Sequence, residues 1–229
     1  MKRTICGLLV FFAAVFFCTA ENTYEEGGIE EMSYAFGMLV GADLAESGLE
    51  IDYEAFITGL LDMMESDATL FSIDEAMRVI DNAFEAAHAE MGLRNLVIGE
   101  TFLAENGARP EVTTTPSGLQ LEIISEGTGE MPGPTDTVLV HYEGTLLDGT
   151  VFDSTYGRGG GPVEIPLDMV IPGWAEGLRL MREGSMAKLF IPPDLAYGEW
   201  GAGSIGPNSV IIFDVELISI SRYDLLPYD

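Results

Sequence analysis

The 229-residue chain is 47% hydrophobic and 21% charged, a globular composition that excludes an intrinsically disordered polypeptide. Its 10 Lys and Arg stand against 38 Asp and Glu, a formal net charge of −28. A surface that acidic repels phosphate backbones and anionic headgroups, which argues against nucleic acid as a partner and against membrane attachment through basic patches.

Lys2 and Arg3 precede an uncharged apolar run, Ile5 to Phe17, and Cys18-Thr19-Ala20 then supplies small residues before Glu21. This is the layout of an export signal over residues 1–20, and the run is shorter than the roughly 20 residues a spanning helix needs. Cleavage after Ala20 and a periplasmic location are the expectation. A lipoprotein anchored through Cys18 is the lesser alternative, because Phe16 and Phe17 are bulky for such a signal; an uncleaved anchor is the third reading. Cys6 and Cys18 are the only cysteines, so loss of the segment removes disulfides, thiolate ligands and thiol nucleophiles together and takes the net charge to −30.

All 11 prolines lie at or after Pro110. Because proline costs about 3 kcal/mol inside a helix, the proline-free stretch before it is free to be helical throughout. The expected organisation is a helical domain over 21–110, a sheet domain over 111–222 and a tail over 223–229. The first helix is expected from Glu30 to about Ser47, with Met32, Phe36, Leu39, Val40 and Leu44 forming one stripe and Gly48 stopping it. Asp52 caps a second helix to about Met64, burying Phe56, Ile57, Leu60, Leu61 and Met64. Ser72-Ile73-Asp74-Glu75 is a capping box, and the third helix runs from there to about Asn106. Its later apolar residues, Leu93, Leu96, Val97, Phe102 and Leu103, have no second proline-free segment to pack on. A second copy of the chain is therefore predicted, with the long helix doubling as a stalk; the alternative is a break near Gly92 or Gly99 and a monomer.

Beyond Pro110 the texture changes to short β-branched runs between Gly and Pro. Thr137–Leu147 alternates as a strand, Asp148-Gly149 signals a tight primed turn, and residues 150–154 return. Ser185–Ile191 and Ser209–Ile220 read as further strands, and residues 171–178 as a short helix entered through Pro172 and Gly173. One short helix on a curled antiparallel sheet is an α+β half-barrel. His88 and His141 have no second ligand at metal spacing, and the Gly157–Gly161 run lacks the Lys-Ser/Thr and the helix of a phosphate loop. Neither a metal nor a cofactor is expected.

Five ordered segments carry a resemblance: residues 140–144 (VHYEG), 147–154 (LDGTVFDS), 170–174 (VIPGW), 191–198 (IPPDLAYG) and 210–217 (VIIFDVEL). In order and spacing they resemble the FK506-binding-protein type of peptidyl-prolyl cis–trans isomerase. Residues 33–37 (SYAFG), 52–60 (DYEAFITGL), 106–110 and 115–120 (TPSGLQ) look like the helical N-terminal domain of macrophage-infectivity-potentiator-like isomerases, which dimerise through it. The resemblance implies a proline pocket with Trp174 as floor and Tyr142, Phe152 and Phe213 as walls, completed by Asp153, Val170, Ile171, Ile205 and Tyr197. It also implies that Arg158 pairs with Asp153, that Tyr197 and the Ile171 N–H donate to substrate carbonyls, and that FK506- or rapamycin-type macrolides are possible ligands. Val163, Ala202 and Gly206 depart from the common pattern, and Trp200 is an unusual addition at the rim. The implied activity is acceleration of Xaa-Pro isomerisation in unfolded or partly folded secreted and envelope proteins. The alternative is a non-catalytic dimeric clamp that uses the pocket only for docking.

Overall fold

A computed structural model describes residues 27–65, 69–157 and 159–221. The expected export signal, Cys18, Arg158 and the 223–229 tail lie outside these residues. The chain divides into two compact units, one ending at Asp52 and the other beginning at Tyr53. No helix among the described residues is long and apolar enough to cross a membrane.

The first unit holds α1 (Ile29–Glu46), whose C-terminal carbonyl of Asp43 accepts from the Ser47 N–H. Its apolar stripe is present but uncovered: Met32, Phe36 and Leu39 are all more than half exposed. In the second unit α2 (Tyr53–Glu65) likewise buries none of its residues, contrary to the apolar face expected to be inside. The periodicity is real, yet each face is left largely exposed among the described residues.

The third helix, α3 (Ile73–Gly107), is unbroken through Gly92 and Gly99. The capping box is complete: Ser72 Oγ accepts from the Glu75 N–H, and Glu75 Oε2 accepts from the Ser72 N–H at 3.0 Å. The bonds from Ser72 hold the Glu75 carboxyl below its ordinary value of 4.5. A depressed folded-state value means this contribution is present above pH 4.5 and lost as pH falls through the lower value. Amide exchange in the first turn of α3 should therefore be slower in the parent than in Ser72→Ala at neutral pH. The difference should shrink on acidification below that point, and a pH-independent difference would contradict the box.

The helix touches its own sheet domain along a seam of small and polar residues. Gly92, Gly99 and Asn106, spaced at sevens, are its buried positions, and Phe102 packs on Phe190 with ring centres 5.8 Å apart. At the C-terminal end Asn106 Nδ2 donates to Gln120 Oε1 at 2.8 Å, while Gln120 Nε2 donates to the Leu103 carbonyl at 2.7 Å. Arg109 then bridges Asn106, Glu111 and Glu122. Phe102 was expected to face a second chain, but Gly92 and Gly99 let the backbone of α3 approach the sheet domain and bring this ring with it. Leu93 and Val97 stay exposed.

Seven antiparallel strands follow: β1 (Val112–Thr114), β2 (Gln120–Ser125), β3 (Thr137–Leu146), β4 (Val151–Ser154), β5 (Val163–Pro166), β6 (Met186–Ile191) and β7 (Ile211–Ser221). Their order is β1-β2-β6-β7-β3-β4, with β5 also paired to β3. Both β5 and β4 pair on one side of β3, β5 along Thr137–Val140 and β4 along Glu143–Thr145. Between them Thr155, buried, replaces a strand partner: its N–H donates to the Tyr142 carbonyl and its hydroxyl accepts from the Tyr142 N–H.

The 146–150 hairpin forms, though not with the primed turn expected. Gly149 N–H donates to the Leu146 carbonyl, and only Gly149 takes positive φ, at 86°. Asp148 Oδ1 accepts from the Thr150 N–H, so the aspartate stabilises a turn followed by one left-handed glycine. Helix α4 (Pro172–Arg179) packs on the sheet over β6. It comes close because Gly173 and Gly177 face Ile191 and Leu189; a Cβ there would lie 2.3 and 2.7 Å from those side chains. Leu119, Val138, Val140, Leu178, Leu189 and Ile211 are fully buried in the resulting core.

Candidate active site

An open cleft of about 530 Å³ lies on the face where α4 meets the sheet. Tyr142 reaches it from β3, Phe213 from β7, and Phe152 and Asp153 from β4. Consecutive residues on a regular strand point to opposite faces. Here the register passes from Gly144↔Asp153 to Thr145↔Val151 and leaves Phe152 unpaired, a bulge that allows both neighbours to line one cavity.

The entry to α4 contributes Val170, Ile171 and Trp174. Ile171 is the residue before Pro172, hence extended (φ −57°, ψ 148°), and its carbonyl accepts the Trp174 and Ala175 N–H groups. The loop after the single turn at 193–195 supplies Tyr197, Ala202 and Ile205.

The aromatic rings meet edge to face. Trp174 lies 5.0 Å from Tyr142 at 85° and 4.9 Å from Phe213 at 76°. Phe152 and Phe213 are 5.4 Å apart at 88°. Such geometry sets the positive edge of one ring against the negative face of the next. The Tyr142 hydroxyl donates to Asp153 Oδ2 at 2.7 Å, fixing one polar group in an otherwise aromatic wall. Trp174 Nε1 is buried without a partner among the described residues.

Nine of the ten expected site residues thus line one cavity: Tyr142, Phe152, Asp153, Val170, Ile171, Trp174, Tyr197, Ile205 and Phe213. Arg158, the tenth, is outside the described residues. Ile165 and Met169 also line the cleft and were not singled out. Ile165 lies on β5, a strand too short for its alternation to stand out, and Met169 ends a single turn, Leu167–Met169, that has no sequence signature. Of the unusual positions, Ala202 lines the cleft, Val163 packs against the core, and Trp200 is 77% exposed.

Gly144 is a tight point behind the walls. A Cβ there would meet Phe152 Cζ at 2.6 Å and Phe213 Cε1 at 2.7 Å. Gly144→Ala should displace both rings and cost about 1–3 kcal/mol in urea denaturation, as overpacking does. A parent-like midpoint would mean that the rings yield freely.

Known proteins resemble the chain over most of its length. A family profile described as FKBP-type peptidyl-prolyl cis-trans isomerase matches residues 128–218. A second, for the domain amino-terminal to FKBP-type peptidyl-prolyl isomerase, matches residues 29–123. The chain is 45% identical over 195 residues to the FKBP-type 22 kDa peptidyl-prolyl cis-trans isomerase of Escherichia coli K12, covering 83% of this chain and 94% of that protein. It is 40% identical over 202 residues to the outer membrane protein MIP of Legionella longbeachae, covering 84% and 86%. The crystal structure of FkpA from Escherichia coli superposes with a TM-score of 0.68 at 32% identity, covering 86% of this chain and 98% of that one.

Proposed function

The chain belongs to the FKBP-type peptidyl-prolyl cis–trans isomerases, and from that premise we propose that it isomerises Xaa-Pro bonds of folding secreted and envelope proteins in the periplasm. The observation that carries the pocket assignment is the convergence of nine expected residues on one aromatic cleft.

Turning an Xaa-Pro bond costs about 18–20 kcal/mol because amide resonance is lost in the twisted state. No bond to a heavy atom breaks, so the task is to bind the twisted form better than either planar one. A twisted amide has a less dipolar carbonyl and an amine-like nitrogen, and an apolar cup that excludes water favours it over the resonant form. The prolyl ring seats on Trp174 between Tyr142, Phe152 and Phe213. The Tyr197 hydroxyl and the Ile171 N–H donate to flanking carbonyls and fix the peptide on either side of the rotating bond. Asp153 accepts from Tyr142 and holds that wall in place, with Arg158 as its expected counter-charge. FK506- and rapamycin-type macrolides would compete for the same cup, with Ala202 removing bulk from its rim.

In this reading residues 1–20 direct export, residues 21–110 form a dimerisation domain with its linker helix, and residues 111–222 form the isomerase domain. Dimerisation is supported by the uncovered apolar faces of α1 and α2, which a second copy would bury. Apolar residues left exposed on α3, such as Leu93 and Val97, favour a second activity, retention of unfolded clients in the gap between paired domains, alongside catalysis.

The test is NMR exchange spectroscopy on an Ala-Leu-Pro-Phe-type peptide with the mature protein. Accelerated cis–trans exchange is expected. Its absence would leave the client-holding dimer as the function, and light scattering at graded concentration would then decide whether the dimer exists.

A further inference from the structure

The loop between Gly198 and Ser209 carries Ala202 and Ile205 into the cleft, yet little within it fixes its shape. Its tip is closed by reciprocal bonds between Ala202 and Ile205, both 2.9 Å, and its base by the Asn208 N–H donating to the Gly198 carbonyl at 2.8 Å. Gly198, Gly201, Gly203 and Asn208 all take positive φ, Asn208 being the sole non-glycine among the described residues to do so. What backs this loop on the side opposite the cavity is α3.

The two elements exchange side-chain amides. Asn95 Nδ2, from α3, donates to the Pro207 carbonyl at 2.8 Å and lies 3.3 Å from Ser209 Oγ. Asn208 Nδ2, from the loop, donates to the Gly92 carbonyl of α3 at 3.3 Å. Glycines make the approach possible. A Cβ on Gly206 would stand 3.0 Å from Met91 Sδ, and one on Gly92 would stand 3.2 Å from Asn208 Nδ2. One turn earlier, His88 stacks on Trp200, ring centres 6.2 Å apart. Two of the unusual rim positions, Trp200 and Gly206, are therefore points of contact with α3, whereas a third, Ala202, lines the cavity.

We propose that α3 forms the outer support of the rim, with Asn95 as a positioning residue acting through the Pro207 carbonyl to set Ile205. This rests on the pocket assignment above. A carbonyl in an irregular loop lies outside the strand ladders, and an asparagine on a helix supplies it a donor from a fixed position. Losing it lets the Gly-rich loop relax and widens the distribution of Ile205 positions, which weakens substrate binding more than the turnover of bound substrate.

Two variants of the full-length mature protein test this. Asn95→Leu keeps the side-chain size and removes the donors; Gly92→Ala improves helix propensity while wedging α3 from Asn208. Both are expected to raise KM for a prolyl peptide about three- to tenfold with kcat near the parent's. Both should also speed amide exchange at Ala202 and Ile205 while leaving β3 and β7 unchanged. Parent-like KM together with parent-like exchange at those two amides overturns the proposal. So does exchange accelerated uniformly across the sheet, which marks general destabilisation. A parent without isomerase activity would refute the pocket assignment instead, and the exchange measurement would still read the contact.

Discussion

Trp174→Ala is expected to be the most damaging single substitution in the cleft, lowering unfolding stability by about 3–5 kcal/mol and abolishing measurable isomerisation. Trp174 is 4% exposed and supports both Tyr142 and Phe213 edge to face, so truncation removes the contact surface of two further rings. Trp174→Phe should behave differently. It gives up indole volume, but it also removes a buried N–H that has no partner among the described residues, and an orphaned donor of that kind costs about 1–3 kcal/mol. The two terms oppose each other, and the expected net change is about 1 kcal/mol or less. Guanidinium denaturation of the three proteins checks both numbers. A loss of about 2 kcal/mol or more in Trp174→Phe would mean that the indole N–H is satisfied and that the lost volume dominates.

Asp153→Ala is expected to cut kcat/KM for a prolyl peptide about ten- to a hundredfold, corresponding to the 1.5–3 kcal/mol of a charge-assisted hydrogen bond. The Tyr142 hydroxyl donates to this carboxylate at 2.7 Å, and without it the phenol turns toward the cavity or recruits water. A double-mutant cycle separates the two residues. If Asp153 acts by holding Tyr142, then Tyr142→Phe combined with Asp153→Ala should be little worse than Asp153→Ala alone. Additive losses would assign the carboxylate a direct interaction with substrate. An Asp153→Ala protein as active as the parent would remove the aspartate from the site.

Signals carried by neighbouring residues are legible in the sequence. The capping box at Ser72 and Glu75 started α3 where expected, and Thr137–Leu146 alternated as β3 because each inward position had to be apolar. The site was legible through five spaced motifs, each uninformative alone, since Phe152, Trp174 and Phe213 in isolation read as ordinary core. Strands β1, β2 and β5 were not legible. β1 and β5 have only three and four residues, β2 has six, and pairing with distant segments, rather than their own pattern, makes them strands. Ile165, on β5, was missed for the same reason, and Met169 because its single turn has no local signature.

The linker helix marks the boundary between the two kinds of information. Its length, its start and its freedom from kinks follow from i-to-i+4 bonding and the absence of proline, which are properties of adjacent residues. The choice of its docking face does not. Apolar spacing set Leu93, Leu96, Val97, Phe102 and Leu103 toward a second copy and named no face toward the sheet domain, which Gly92, Asn95, Gly99, Phe102 and Asn106 meet. A glycine or an amide gains value in packing only when another backbone comes within reach, and no local pattern records that approach. The bulge that turns both Phe152 and Asp153 into the cleft is likewise a property of how β3 and β4 pair. Residue types and local periodicity determined the elements and the chemistry available to this chain. Register and close approach, which exist only between segments far apart in sequence, decided which side chains share the cavity.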